Sequence, residues 1–315
     1  MRLAIPDLIS NSYFPAIAAV ELGHFAAEGV DMQLELVFPV TRAMQALHDG
    51  EFDFVVGAAH ATLAGFPEWQ GASLLAAAAQ RMYWFLVMRA DLHAARGDLS
   101  VLKGRRIGAA PGPDAGLVRL LREAGIEPER DGVQIGPVPG SDQPSVSFGV
   151  TAAQALADGK LDGFWANGMG AEVAVRRGAG TVVIDTRRGD GPPPSWQYTF
   201  PALVTTERLI ADNPAVVTGA IRGLIRAQSA LKADLKVATT VGQRVFPPME
   251  AGLIAELIRR DLPYYDPAIS VESVGALNRF ARDMHFLSGE VAYDRVVATQ
   301  FAHLWKDQPS AESRA

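Results

Sequence analysis

The sequence predicts a two-lobed α/β protein, each lobe a mostly parallel sheet flanked by helices, with two crossovers between the lobes. Three observations carry this. Residues 43–57 (AMQALHDGEFDFVVG) recur at residues 152–166 (AAQALADGKLDGFWA). The segments upstream of each copy match in kind. Two aromatic-led apolar runs, 82–89 and 198–206, each leave a finished unit and are placed to cross to the other lobe.

The repeat is the firmest of the three. Gln45, Ala46, Leu47, Asp49, Gly50 and Asp53 return 109 positions later as Gln154, Ala155, Leu156, Asp158, Gly159 and Asp162. Each copy reads as a helix stopped by an Asp-Gly turn, whose glycine can take the left-handed C-cap conformation, followed by a short buried strand. Upstream in the first half, 2–6 (RLAIP) is a strand, about 14–28 a helix, and 32–37 an alternating strand. In the second half, 106–109 is the strand, PGPDAG the loop, 117–123 the helix and 133–138 the next strand. Two such units predict two homologous open sheets, with residues 1–84 and 199–315 in one lobe and 85–198 in the other. After the second crossing the chain reads as helical. Pro214 stands near the first helical position of a segment running to about Lys232, striped by Val217, Ile221, Leu224 and Ile225. Further helices are expected at about 249–261, 271–284 and 293–305, and the tail from Lys306 is polar.

Composition narrows the function. The chain has 315 residues, 49% hydrophobic and 20% charged, which suits a globular protein with a real core. A net charge of −6 supplies no basic field for nucleic acid or an anionic membrane, and Lys103–Arg106 and Arg187-Arg188 are only short clusters. With no cysteine there is no disulfide, thiolate metal site or cysteine nucleophile. No apolar run approaches the roughly 18 residues of a membrane span. Met1-Arg2 leads straight into Leu3-Ala4-Ile5 without the features of a signal peptide, so a cytoplasmic location is expected if Met1 is the native start. Gly112–Gly116 lacks the Gly-Lys-Ser/Thr ending of a phosphate-binding loop, the histidines show no metal-ligand spacing, and no Gly-x-Ser-x-Gly elbow is present. No cofactor, metal or catalytic residue is assigned.

In open parallel sheets a ligand sits beyond the carboxyl ends of the strands. In the first lobe those ends are Ser10, Asn11, Ser12, Tyr13 and Phe14, then Thr41, then His60. In the second they are Asp114, Ala115 and Gly116, then Gly140–Asp142, then Asn167 and Met169, with Met169 the repeat equivalent of His60. Serine, asparagine and threonine offer neutral hydrogen-bonding groups, and helix N-termini near Tyr13 and Asp114–Gly116 favour an anionic ligand group. Tyr13, Trp84, Trp165, Trp196 and Tyr198 can stack on an apolar moiety or fill the hinge and core, and Phe14 and Phe164 read as core. His60 reads either as a ligand contact or as a packed structural histidine, and Ser12 as a polar contact without a visible activating base.

The stretches YFPAIAAVELGHFAAEGVDMQLE, ALHDGEFDFVVG, DLSVLKGRRIGAAPG, ALADGKLDGFWANG and NPAVVTGAIRGLIRA, taken in order along nearly the whole chain, carry a resemblance. As a set they resemble the nitrate/sulfonate/taurine and thiamine-pyrimidine-precursor substrate-binding proteins of ABC importers. The resemblance implies a periplasmic-binding-protein fold of the second topological type, hinge closure on a small anionic or aromatic solute, an ABC permease as partner and a periplasmic location. The same fold supports cytosolic enzymes, so an enzyme acting on a small aromatic or sulfur-containing acid is the alternative. Aromatic sulfinate desulfinases resemble the chain around Ser10-Asn11-Ser12 and His60, but they carry a nucleophilic cysteine where Ser12 stands. The iron site and histidine cluster of yeast-type pyrimidine-precursor synthases are not visible.

Overall fold

The computed structural model describes residues 1–141 and 147–306, so Asp142 and the tail from residue 307 lie outside the described residues. In chain order the strands are β1 (Arg2–Ile5), β2 (Gln33–Leu36), β3 (Phe54–Ala58), β4 (Ala72–Ala77), β5 (Phe85–Arg89), β6 (Arg106–Ala109), β7 (Gln134–Gly136), β8 (Gly163–Ala166), β9 (Gly180–Asp185) and β10 (Pro201–Thr206). The helices are α1 (Phe14–Glu21), α2 (His24–Ala27), α3 (Val40–His48), α4 (Pro113–Glu123), α5 (Phe148–Ala157), α6 (Gly168–Arg176), α7 (Glu207–Asp212), α8 (Pro214–Ala233), α9 (Lys236–Val245), α10 (Pro248–Asp261), α11 (Val271–Asp283) and α12 (Tyr293–Val296).

The strands form two five-stranded sheets with matching orders, β2-β1-β3-β10-β4 and β7-β6-β8-β5-β9. The two Asp-Gly units therefore stand in separate sheets, one feeding β3 and the other β8. Within each sheet four strands run one way, and the strand that has just crossed from the other half runs against them. Thus β10 is antiparallel to β3 and β4, and β5 is antiparallel to β8 and β9. Each sheet is thus mostly parallel, as the sequence predicts. A crossing chain enters its new sheet from the cleft side, where the other strands end, so it must run backwards.

Local differences from the sequence reading have simple causes. The helix expected over 14–28 divides into α1 and α2 because Gly23 adopts a left-handed conformation (φ 69°) between them. Pro113–Gly116, read as loop, forms the first turn of α4, with Pro113 at the position where a missing N–H costs nothing. The helix expected over 293–305 is only α12, after which Val297 bridges Leu74 of β4 and the chain continues as a 3₁₀ segment from Thr299 to Lys306. Strands β4 and β9 and helix α6 have no counterpart in the sequence reading, while α7 and α9 fall within the stretch that reads as helical.

Glycine fixes one packing that matters for the site. A Cβ on Gly170 would lie 2.5 Å from the Gly149 carbonyl oxygen, so the starts of α5 and α6 touch backbone to backbone. That contact brings Ser147, which precedes α5, close to Asn167, which precedes α6. No described helix is long and apolar enough to cross a membrane.

Candidate ligand-binding cleft

The carboxyl ends of both sheets face one another, and a half-open cavity of about 400 Å³ of empty space lies between them. Its wall takes Pro6, Asp7 and Phe38 from the ends of β1 and β2, and Ala110, Ala166 and Asn167 from the ends of β6 and β8. Tyr13, Val40, Pro113 and Phe148 enter it from the N-terminal ends of α1, α3, α4 and α5, and Trp165 from within β8. Tyr83 and Trp84, on the crossing segment before β5, complete it.

Six of the thirteen lining residues are aromatic. Phe38 and Phe148 stack across the lobes with centroids 5.6 Å apart. Tyr13 meets Tyr83 edge-on at 5.9 Å, Tyr83 lies 4.9 Å from Trp84, and Trp84 lies 6.0 Å from Trp165. Among the polar groups, the Tyr13 and Tyr83 hydroxyls share a 2.9 Å hydrogen bond, and Trp165 Nε1 donates to the Pro113 carbonyl at 3.0 Å. Burial pushes the ionisation of both tyrosines upward, so both stay protonated.

Asp7 is the charged member of the wall. Its carboxylate accepts from Ile9 N, from Ser147 Oγ and from Asn167 Nδ2, each at 2.9 Å. The last two belong to the opposite lobe, so Asp7 fastens the two halves together. Burial raises its pKa to about 6, against the opposing pull of these hydrogen bonds. A carboxyl directly after the apolar run of β1 is a signal the sequence carried, and the sequence reading passed over it. Phe38, Tyr83 and Phe148 were also missed, since nothing local separates a cleft aromatic from a core one.

Of the residues singled out from sequence, Tyr13, Trp165 and Asn167 line this cavity, as does Trp84. The others stand behind it or beside it. Ser10 Oγ accepts from Ser12 N at 3.1 Å. Asn11 donates to Asp261 at 2.7 Å and accepts the Met169 N–H, at the start of α6, at 3.1 Å, so it too joins the lobes. Asp114 folds back onto the Gly112 and Ala115 amides at 2.9 and 2.8 Å, and burial raises its pKa. Ala115 is buried in the first turn of α4, and Gly116 lets the Trp84 ring approach there. Trp196 lines a separate groove, and Tyr198 stacks on Phe280 at 5.0 Å. Phe14 and Phe164 are core.

His60 and Thr41 line a neighbouring, mostly apolar cavity of about 520 Å³ with Gly112 and Phe286. Both imidazole nitrogens are engaged there, Nδ1 with Thr199 Oγ1 and Nε2 with the Gly112 carbonyl, each at 3.0 Å. In the neutral tautomer this geometry selects, Nε2–H donates to the carbonyl and Nδ1 accepts from the hydroxyl. Burial lowers the His60 pKa to about 4 and keeps that tautomer neutral at physiological pH.

Ser12 Oγ is buried with no hydrogen-bond partner among the described residues, so no general base touches it. Ser12→Ala should change the unfolding free energy by less than about 1 kcal/mol or stabilise the protein, because it removes an unmatched buried hydroxyl. Urea titration checks this, and a loss above about 2 kcal/mol would show a hidden partner. Among the described residues no group of three or more His, Asp or Glu side chains could hold a metal ion.

Two lobes with a cavity walled by the strand ends of both define a protein of the two-lobed periplasmic-binding-protein class. Residues 10–234 match the family model described as "NMT1/THI5 like", and the chain belongs to that family. Among solved structures, the alkanesulfonate-binding protein SsuA from Xanthomonas axonopodis pv. citri, bound to MOPS, superposes with a TM-score of 0.69 at 14% identity, over 96% of each chain. The periplasmic nitrate-binding protein NrtA from Synechocystis PCC 6803 gives 0.74 at 13% identity, over 96% of this chain and 87% of its own. A variant of the enzyme DszB in complex with biphenyl-2-sulfinic acid gives 0.64 at 16% identity, over 96% and 98%. No curated protein sequence matches the chain.

Proposed function

We propose that the protein is the solute-binding component of an ABC-type importer, capturing one small organic molecule between its lobes. Residues 1–84 and 199–315 would move as one lobe against 85–198, with the two crossing segments as hinge. The observation that carries this reading is the cavity itself, whose wall is drawn from both sheets and is bridged by the bonds of Asp7 to Ser147 and Asn167. A ligand held there contacts both lobes at once, so binding and closure are one event. The solved sulfonate- and nitrate-binding proteins of like fold support a transport role, with a membrane permease as partner and the periplasm as the place of work. The lining favours an aromatic solute, since six of its side chains are aromatic: Tyr13, Phe38, Tyr83, Trp84, Phe148 and Trp165.

Saturating ligand should compact the protein, because the lobes must part for a solute to enter and close once it is seated. Small-angle scattering with and without ligand is the test. A radius of gyration unchanged on saturation would remove the closure mechanism.

A further inference from the structure

The helix ends that meet at the cleft should attract anions, yet the cleft's own charge argues otherwise. Helices α1, α3, α4 and α5 all begin at the cavity wall, and α6 begins beside it at Asn167. Converging N-terminal ends of this kind favour a negative charge. A negative charge is already there. Asp7 lies against the start of α5, where Ser147 is the cap residue, and against Asn167, the cap residue of α6.

We infer that Asp7 fills the place an acidic ligand group would take, so that the cleft admits a planar aromatic solute, uncharged or cationic, and refuses anions. The inference rests on the proposed solute-binding role. Three further observations support it.

Among the described residues no lysine, arginine or histidine lines the cavity, so none of them balances the Asp7 carboxylate from the wall. Arg187 lies outside the lining, over the Tyr83 ring at 5.6 Å from its centroid; its Nη1 is paired with Asp261 at 3.1 Å, while its Nε and Nη2 are buried without a partner among the described residues. Arg188 shares Asp261 and is also held by Asp185 at 2.9 Å, so these two arginines face two carboxylates. A second anion entering the cavity would meet Asp7 in a poorly screened setting, and two like charges there repel strongly.

The amide and indole donors on the lining side chains are also taken. Asn167 uses Nδ2 on Asp7 and Oδ1 on the Gly170 amide, and Trp165 uses its N–H on Pro113. Among the lining side chains, what remains is the tyrosine pair. One hydroxyl hydrogen joins Tyr13 to Tyr83, which leaves the other free to meet a single acceptor on the ligand. The aromatic walls supply stacking faces, and these attract cations as well as neutral rings.

The test uses four probes of one shape and different charge: benzamidinium, benzamide, benzoate and benzenesulfonate. Binding to the full chain is measured by calorimetry at neutral pH, with scattering on each saturated sample. Benzamide and benzamidinium should bind at least about tenfold tighter than benzoate and benzenesulfonate. Asp7→Asn, verified as folded by a cooperative melt, should shrink that ratio by at least about fivefold, because the repelling charge is gone. If the variant does not fold, the ratio in the parent protein still decides the matter. Anions binding as tightly as benzamide would overturn the inference, and if they also compact the protein the solute-binding role survives. An unchanged ratio in a folded Asp7→Asn would overturn it too. Failure of benzamide and benzamidinium to bind at about 1 mM would count against both readings.

Discussion

In a pH series of urea titrations, His60→Gln should become more stable as the pH falls from about 6.5 to 4.5, and Asp7→Asn should become less stable. The parent protein should be nearly flat over the same interval, because the two groups oppose each other. Asp7 has its pKa raised from 3.8 to about 6 in the folded protein, so between these values the folded state holds a proton that the unfolded state has lost. Its contribution is fully present below 3.8 and is lost as the pH rises through 6. His60 has its pKa lowered from 6.5 to about 4, so between these values the unfolded state holds the extra proton. Its contribution is present above 6.5 and is lost as the pH falls through 4. Each shift is worth about 2–3 kcal/mol over the interval, at 1.36 kcal/mol for each unit of pKa. Removing either residue therefore uncovers the slope of the other. Three parallel profiles would mean that neither group is held in its buried state as the geometry requires.

Trp165→Ala should cost about 3–5 kcal/mol of unfolding free energy, the range for deleting a large buried aromatic side chain. Trp165 is fully buried, packs against Trp84, and satisfies the Pro113 carbonyl through its indole N–H. The alanine variant enlarges the cavity and leaves that carbonyl unmatched. Trp165→Phe keeps most of the ring contact and loses only the hydrogen bond, so it should cost about 1–3 kcal/mol. The same order should hold for ligand affinity, since the ring forms part of the cavity wall. Denaturant titration of the three proteins decides it, and an alanine variant within about 1 kcal/mol of the parent would show that the site collapses without loss.

Much of the architecture was legible because it was written twice. The paired units ending in Asp49-Gly50 and Asp158-Gly159 mark β3 and β8, and the strand ends that follow them lead to Asn167 and the cleft. Tyr13 and Trp165 could be placed by the same rule. What the sequence concealed were partners far apart in the chain. Asn11 bonds to Asp261, 250 positions away, and Asp7 to Asn167, 160 positions away. Asn11 and His60, both expected at the ligand, each bond to a residue of the other lobe. A side chain at a strand end has both choices, and only the position of the opposite lobe decides between them. The antiparallel entry of β5 and β10 was hidden for the same reason, since local pattern carries strand identity but not direction.

The place of β10 in the first sheet also sets an order of assembly. The second sheet draws all five strands from residues 85–185, an unbroken stretch that can pair as soon as it has been made. The first sheet cannot. Its β10 lies between β3 and β4, so until residue 206 has left the ribosome those two strands each present an unpaired edge. The half of the protein that is synthesised first is thus the half that finishes last, and it waits with a long apolar segment exposed to any holding chaperone.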